Sequence, residues 1–270
     1  MSQSDGIIGK IDALRRGNKD FVTNSFFPAQ QLKSLVDSGN TTAKASNEAV
    51  IILLEEERLT RLYFYAASFD SLRHIPLLMP EYKNKAVIAD IVGKNHHAAK
   101  LAAGVEEHNF SKYRELIRMN RKNEEVMQGT VSDVILAGSD DIDEIMDILY
   151  GEFDIFVSRL PTRQKLQEAV TKGGITVVRQ LGKIAGLAYF EKPGERLKYL
   201  YQIAVHRDFR GKGVADELLK HEFVNTPMGT IFQLWVEADN KYALNKYREY
   251  GFIPDGLVDY IMLYKENGNG

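Results

Sequence analysis

Apolar positions fall into two kinds of run along the chain. Short runs of branched and aromatic residues read as strands, and apolar residues spaced three and four apart read as helices. In the first half a short helix is expected over 7–16. A second is expected over 28–40, started by Pro28 and stopped at Gly39. "EAVIILLEEE" and "RLTRLYFYAAS" read as two strands joined near Glu57 and Arg58. "SLRHIPLLMPEYK" is broken by Pro76 and Pro80 and is ambiguous. "KAVIADIV" is a buried strand, "NHHAAKLAAGVEEH" a helix, and "FSKYRELIRMNRK" a closing strand or helix.

The second half runs in a similar order. "SDDIDEIMDILYGEF" carries acidic residues at its start and an apolar stripe at Ile142, Ile145, Ile148 and Leu149, so it reads as an amphipathic helix. "PTRQKLQEAVTKGG" is a second proline-started helix stopped by glycine. "ITVVRQL" and "KIAGLAYFEK" are strands around a turn at Gly182, and "RLKYLYQIAV" is a third strand. "GVADELLKHEF" is a helix, "TIFQLWVEAD" a strand, "NKYALNKYREYG" a helix, and "FIPDGLVDYIMLYKE" leads into a last strand.

The halves resemble each other, with coincidence between amphipathic helices as the plain alternative. "FFPAQQLKSLVDSGN" matches "RLPTRQKLQEAVTKGG", and "ADIVGKNHHAAKLAAGVEEHNF" matches "LWVEADNKYALNKYREYGF", with Asn95 and Ala98 falling where Asn240 and Ala243 do. The reading is of two related αβ modules, 1–125 and 131–267. Their joint falls near the polar, unperiodic stretch 121–133.

Composition narrows the classes. The 270 residues are 44% hydrophobic, which supports a sizeable core and argues against wholesale disorder. A net charge of -2 argues against non-specific nucleic-acid binding. With no cysteine, a disulfide scaffold, a thiolate metal site and a cysteine nucleophile are excluded. The longest apolar run, "AVIILL", is too short to span a bilayer, and the N-terminus lacks the apolar core of a secretory signal. A cytoplasmic protein without a membrane partner is expected.

The densest candidate chemistry lies in "YQIAVHRDFRGKGVADELLKHEF". A strand ends at Val205, a basic loop carries Arg207, Arg210, Gly211, Lys212 and Gly213, and a helix begins near Val214. The first turn of a helix has unpaired N–H groups and the positive end of its dipole, which together suit a phosphate. Glycine lets the backbone approach the anion, and arginine and lysine add charge-assisted contacts. The spacing fits neither G-x-x-x-x-G-K-[ST] nor G-x-G-x-x-G. A tight turn with solvated cations is the plain alternative.

This stretch resembles the acetyl-CoA loop of the GNAT superfamily of N-acetyltransferases, [QR]-x-x-G-x-[GA], here on Arg210, Gly213 and Ala215. A second pattern of that family, N-x-x-A-x-x-x-Y-x-x-x-G-F, falls on Asn240, Ala243, Tyr247, Gly251 and Phe252 without a gap. The resemblance covers 131–265. It implies an α/β (α+β) fold of two GNAT-like modules, each a central mixed, mostly antiparallel sheet flanked by helices. The first module would be a degenerate copy lacking the loop. The family's strand before the loop splays from its neighbour and pairs with the pantetheine arm, a role that falls on Ile203, Ala204 and Val205. The resemblance places the pyrophosphate on Arg210, Gly211, Lys212, Gly213, Val214 and Ala215, and the pantetheine region on Asn240.

The implied reaction is acetyl transfer from acetyl-CoA, as co-substrate, to a primary amine, with one cofactor site per chain. Tyr247 matches the family's tyrosine and would protonate the leaving thiolate; a core aromatic is its plainer reading. Glu237 in "LWVEADN" resembles a glutamate in the "LWLE" of enzymes that acetylate ribosomal protein N-termini, though two residues nearer the asparagine, and is the candidate base. Glu191 is a second candidate. A backbone N–H near Val205 would serve the oxyanion. A non-catalytic acyl-CoA-binding or regulatory module, and an interaction protein whose first half recruits a partner, are the alternatives. The expected partner is an amine-bearing small molecule or peptide, without nucleic acid, and a homodimer is possible. No metal is expected: His96 and His97 are adjacent and point about 100° apart on a helix. His206 and His221 are expected to be solvated, and "LLEEERLTR" to be a solvated turn. Tyr189, Tyr199, Tyr201 and Tyr242 are candidates for an acceptor pocket, with half of them core by strand alternation.

Overall fold

The computed structural model describes residues 3–80, 85–124 and 133–265. Two compact units emerge, Met1–Ile117 with Gly256–Gly270, and Arg118–Asp255. They differ from the expected 1–125 and 131–267 in two strands, one near the middle of the chain and one at its end. Of the joint expected over 121–133, residues 121–122 are strand and 125–132 lie outside the described residues.

In the first unit, helices α1 (Gln3–Gly17) and α2 (Ala29–Val36) precede strands β2 (Thr41–Ala45), β3 (Ala49–Glu55) and β4 (Leu59–Ala66). A two-residue strand β1 (Val22–Thr23) lies between the helices in sequence. β3 and β4 form the hairpin read from the sequence; β1 and β2 lack a long apolar run and escaped it. Every residue of β4 is buried, Thr60 and Arg61 included, as a strand covered on both faces should be. The ambiguous segment is a 3-10 turn, Asp70–Arg73, running into a short α3 (His74–Leu78). β5 (Ala86–Lys94), α4 (Asn95–Glu106) and β6 (Phe110–Lys122) follow, which settles the last as a strand.

The sheet order in this unit is β2-β3-β4-β5-β12-β6, where β12 (Ile253–Tyr264) is the last strand of the chain. From Leu257 to Leu263, β12 pairs antiparallel with β5, Lys94 to Ile88. Helices α1 and α2 cover one cluster, with Ile11, Leu32, Val50, Ile52 and Tyr65. α3 and α4 cover the other, with Ile51, Phe64, Ile75, Leu101 and Val105.

In the second unit, β7 (Val134–Leu136), α5 (Ile142–Glu152) and α6 (Arg163–Thr171) lead to β8 (Ile175–Gln180), β9 (Lys183–Gly194) and β10 (Leu197–Val205). Then come α7 (Val214–Val224), β11 (Ile231–Glu237) and α8 (Lys241–Glu249). The order is β7-β8-β9-β10-β11-β6, the last through its residues from Arg118 onward. The turn at Leu181 and Gly182 is left-handed at both residues, φ 53° and 77°. The stripe of α5 is buried and packs with Ile175, Val177, Leu187 and Tyr189. Each unit is thus a mostly antiparallel sheet that contains a parallel pair, β4–β5 or β10–β11, each followed by a helix.

One expectation holds only in part: Glu55, Glu57 and Arg58 are exposed at the turn. The run "LLEEERLTR" does make a hairpin turn, but Arg61 at its end is buried. It donates to Glu56 Oε1 and to Asp90 Oδ2, at 2.8 Å each, and its side chain is 4% exposed. Two carboxylates offset the cost of removing this cation from water.

Candidate functional site

The parallel pairing of β10 with β11 covers four residues, Leu197 to Leu200 against Ile231 to Leu234. β10 continues along β9 as far as Val205, opposite Gly186. Beyond Leu200, therefore, β10 keeps one neighbour and parts from the other. The pairing with β9 slips here too: Leu200 faces Phe190 while Gln202 faces Tyr189, so Tyr201 is an extra, bulged residue. A bulge sharpens local twist and bends its strand. The result is a cleft whose near wall is the backbone of Ile203, Ala204 and Val205.

After Val205 the chain makes a 3-10 turn, Arg207–Phe209, anchored by the buried ring of Phe209. His206 Nδ1 caps the turn by accepting from the Asp208 amide at 3.3 Å. That is a structural task where a solvated histidine was expected. Gly211 and Gly213 both have left-handed φ, 77° and 82°, and Gly213 occupies the N-cap position of α7. Added Cβ atoms at the two would meet nothing within 4 Å, so conformation rather than space calls for glycine here. Arg210, Gly211, Lys212 and Gly213 are exposed, and Val214 plugs into the core. The Arg210 guanidinium is held by Glu152 at the end of α5 and by the Val205 carbonyl at 3.4 Å. Lys212 lies over the Phe209 ring, 4.9 Å from its centroid.

The start of α7 comes very close to the sheet. A Cβ on Gly186 would sit 2.6 Å from Val214 Cγ1 and 2.9 Å from the Ala204 carbonyl oxygen. Glycine inside an apolar strand signals such an approach, and "KIAGLAYF" carries that signal.

The downstream residues divide between structural and exposed places. Asn240 caps α8, its Oδ1 accepting from the Ala243 amide at 3.0 Å. Asn95 sits one residue further along its helix, inside α4, and accepts from the Tyr260 hydroxyl at 3.2 Å. The repeat is real in topology but shifted by a residue at this point. Tyr247 is 8% exposed and packs edge-on against Phe252, 5.5 Å between centroids. Phe252 in turn meets Phe223, which meets Phe232. Burial raises the Tyr247 hydroxyl well above the usual phenol range, so it stays protonated. Glu237 ends β11. Phe232, Leu234 and Val236 face the core, so Glu237 shares the opposite face with Gln233 and Trp235, as strand alternation requires. Arg118 lies over the Trp235 ring at 5.9 Å. Tyr247 and Glu237 therefore belong to opposite faces of the sheet. Glu191 is exposed and accepts from the Tyr189 hydroxyl. Tyr199 and Tyr201 join Tyr189 in one aromatic group. Tyr242 is 76% exposed. His96 and His97 are exposed, and among the described residues no group of three or more metal-ligating side chains occurs.

A sequence profile of the Acetyltransferase (GNAT) family matches residues 142–252, from the start of α5 to the end of the Tyr247 motif. The C-terminal half carries a GNAT domain. No curated protein matches the chain in sequence. Solved structures extend the fold likeness to the first half. A tandem GNAT protein from the clavulanic acid biosynthesis pathway superposes with a TM-score of 0.58 at 13% identity, covering 99% of this chain and 97% of its own. GCN5-related N-acetyltransferases from Kribbella flavida (0.59, 15%, 88% and 93%) and Sphaerobacter thermophilus (0.57, 14%, 93% and 97%) superpose similarly. The chain thus has two GNAT-like modules. The β10–β11 cleft and the start of α7 both lie within the matched residues.

The first module has a splay of its own, which motif reasoning did not reach. β4 and β5 pair only from Leu59 to Arg61 and Ala86 to Ile88. The gap beyond is filled by the chain itself. β1 pairs with β4, Val22 and Thr23 opposite Ala66 and Tyr65. The Asn24 amide donates to Leu62 O at 2.9 Å and Asp90 O at 3.1 Å, while its Oδ1 accepts from the Phe64 amide at 2.8 Å. One buried side chain thus ties β4 to β5 across the gap. No motif marks it, because its partners are backbone atoms some forty and sixty residues away.

Proposed function

We propose that the C-terminal half is an acetyl-CoA-dependent N-acetyltransferase acting on a primary amine. The carrying observation is the conjunction at one point: β10 parts from β11 after Leu200 just before a left-handed glycine starts α7. The freed backbone of Ile203, Ala204 and Val205 offers strand-like pairing to the pantetheine arm, as an added strand would take it. The N–H groups of 210–215 and the dipole of α7 suit the pyrophosphate, with Arg210 and Lys212 adding charge. Asn240, which caps α8, would hydrogen-bond the pantetheine region.

In the transfer, Glu237, on the face of the sheet opposite Tyr247, takes a proton from the acceptor ammonium across the gap between β10 and β11 and leaves a neutral amine. The nitrogen lone pair forms the N–C bond at the thioester carbon, and a backbone N–H near Val205 steadies the oxyanion. The adduct nitrogen gives up its second proton to solvent, the C–S bond breaks as Tyr247 gives its proton to the sulfur, and the proton held by Glu237 restores the phenol through solvent. The products are the acetamide and the free thiol. Burial keeps the Tyr247 hydroxyl protonated, as a donor must be, and also makes it a weaker acid than a free phenol. Its packing among Phe223, Phe232 and Phe252 also favours a second reading, an acyl-CoA-binding module without turnover.

Acetyl-CoA titration and thiol release with an amine panel test this. Expected are one site per chain and release on at least one amine. Tyr247→Phe should lower kcat by about 10²-fold or more with little change in cofactor Kd. Binding without release on any amine selects the binding module. Absence of binding overturns both readings, and two sites per chain would contradict a self-filled first module.

A further inference from the structure

Around the bulge of β10 lies a group of side chains that the transfer steps leave unused. Tyr189 and Tyr201 stack, with centroids 5.3 Å apart and planes 24° from parallel. Tyr199 meets Tyr201 edge-on at 4.5 Å. Strand register puts Glu191 opposite Tyr199 and Tyr189 opposite Gln202, so the four residues converge on one patch of β9 and β10. The Tyr189 hydroxyl donates to Glu191 Oε1. Glu191 also acts on the hydroxyl of Tyr201. Burial, first, and then Glu191 raise both phenols, so both remain neutral donors. Tyr201 is 40% exposed and Glu191 is exposed, so the patch is open to an incoming molecule. Among the described residues no basic side chain pairs with Glu191.

A carboxylate set among phenol rings, with no basic side chain paired to it among the described residues, is suited to a cation. The carboxylate supplies charge and the ring faces supply cation–π attraction. Other charges reach the patch: Arg159 favours the ionised form of Tyr201, and Glu168 acts weakly against that of Tyr189. One polar atom nearby is unsatisfied. Gln202 is 3% exposed, its Nε2 donates to the Arg159 carbonyl at 3.3 Å, and its Oε1 has no partner among the described residues. The patch borders Ile203, where the cleft begins.

We propose, resting on the acetyl-transfer reading, that Tyr199 and Tyr201 around Glu191, backed by the buried Tyr189 ring, hold an ammonium of the acceptor other than the one acetylated. Preferred acceptors are then amines with a second positive charge. A nitrogen held by a carboxylate and ring faces is kept charged and has no lone pair for attack. The patch therefore orients the acceptor and does not activate it. The reacting nitrogen lies at the far end, toward the freed backbone of β10.

The test compares 1,4-diaminobutane with butylamine. In the wild type, kcat/KM for the diamine should exceed that for the monoamine by about tenfold or more, mostly through KM. In Glu191→Gln and in Tyr201→Leu the ratio should fall toward about one, within the scatter expected for uniform binding. Retained acetyl-CoA affinity in both variants shows that they fold. Equal use of the two amines by the wild type, or an unchanged ratio in Glu191→Gln, overturns the proposal. Calorimetric titration of each amine into the acetyl-CoA-saturated protein separates this from the reading beneath it. If nothing is turned over but the diamine binds tighter than butylamine through Glu191, the subsite stands and the transfer reading falls. If neither amine is turned over and the two bind alike, both fall.

Discussion

Two glycines do different work in the second unit, and substitution should separate them. Gly213 has open space but a left-handed backbone, so alanine there meets strain of about 1–2 kcal/mol. Gly213→Ala should weaken acetyl-CoA binding by about tenfold, because relief of that strain re-aims the N–H groups of the α7 start. Isothermal titration calorimetry reads it; unchanged affinity would detach this loop from cofactor binding. Gly186 has ordinary backbone but no room, with Val214 and the Ala204 carbonyl inside 3 Å of a Cβ. Gly186→Ala should lower unfolding stability by about 1–3 kcal/mol through overpacking. Urea denaturation followed by Trp235 fluorescence measures it, and a stability equal to wild type would show that α7 can lift without cost.

Between elements, the informative comparison is of the two splays. β10 and β11 part with the freed backbone left available, and β4 and β5 part with Val22–Thr23 and Asn24 in the gap. Asn24→Ala removes three hydrogen bonds to buried backbone groups and should lower stability of the first unit by about 1–3 kcal/mol. Faster amide exchange at Phe64 is the direct readout, since Phe64 N–H donates to Asn24. Exchange as slow as wild type would mean that another group takes over the bond. The elements themselves were largely legible in sequence: the period of 3.6 in α5 and the buried runs of β3, β4 and β5 depend on local pattern alone. β1, β2 and β7 were not legible. They are short and are strands because of their partners.

For the whole molecule, the decisive feature is the partner of β12. β12 follows the GNAT domain in sequence yet pairs with β5 of the first unit. A chain stopped after Asp255 should lose protection from hydrogen exchange at the amides of β5 while β9 and β10 keep theirs. Mass-spectrometric exchange on the truncated protein decides this; full protection of β5 would mean that β12 is dispensable to that sheet. The tandem likeness covers nearly the full chain, and among the described residues no helix is long and apolar enough to cross a membrane.

The sequence by itself determined what depends on neighbours along the chain: the helix periods, the glycine-bearing loop before α7, and the spacing from Asn240 to Phe252 that places cap, tyrosine and helix end. These are legible because a helix or turn brings residues a few positions apart to one place. Only the tertiary structure decided that Tyr201 is bulged, that Glu191 sits among three tyrosines, that Asn24 fills the first splay, and that the last strand serves the first unit. Each depends on strand register or on partners far apart in sequence. A one-residue slip in register changes which side chains share a face, and local pattern carries no record of it.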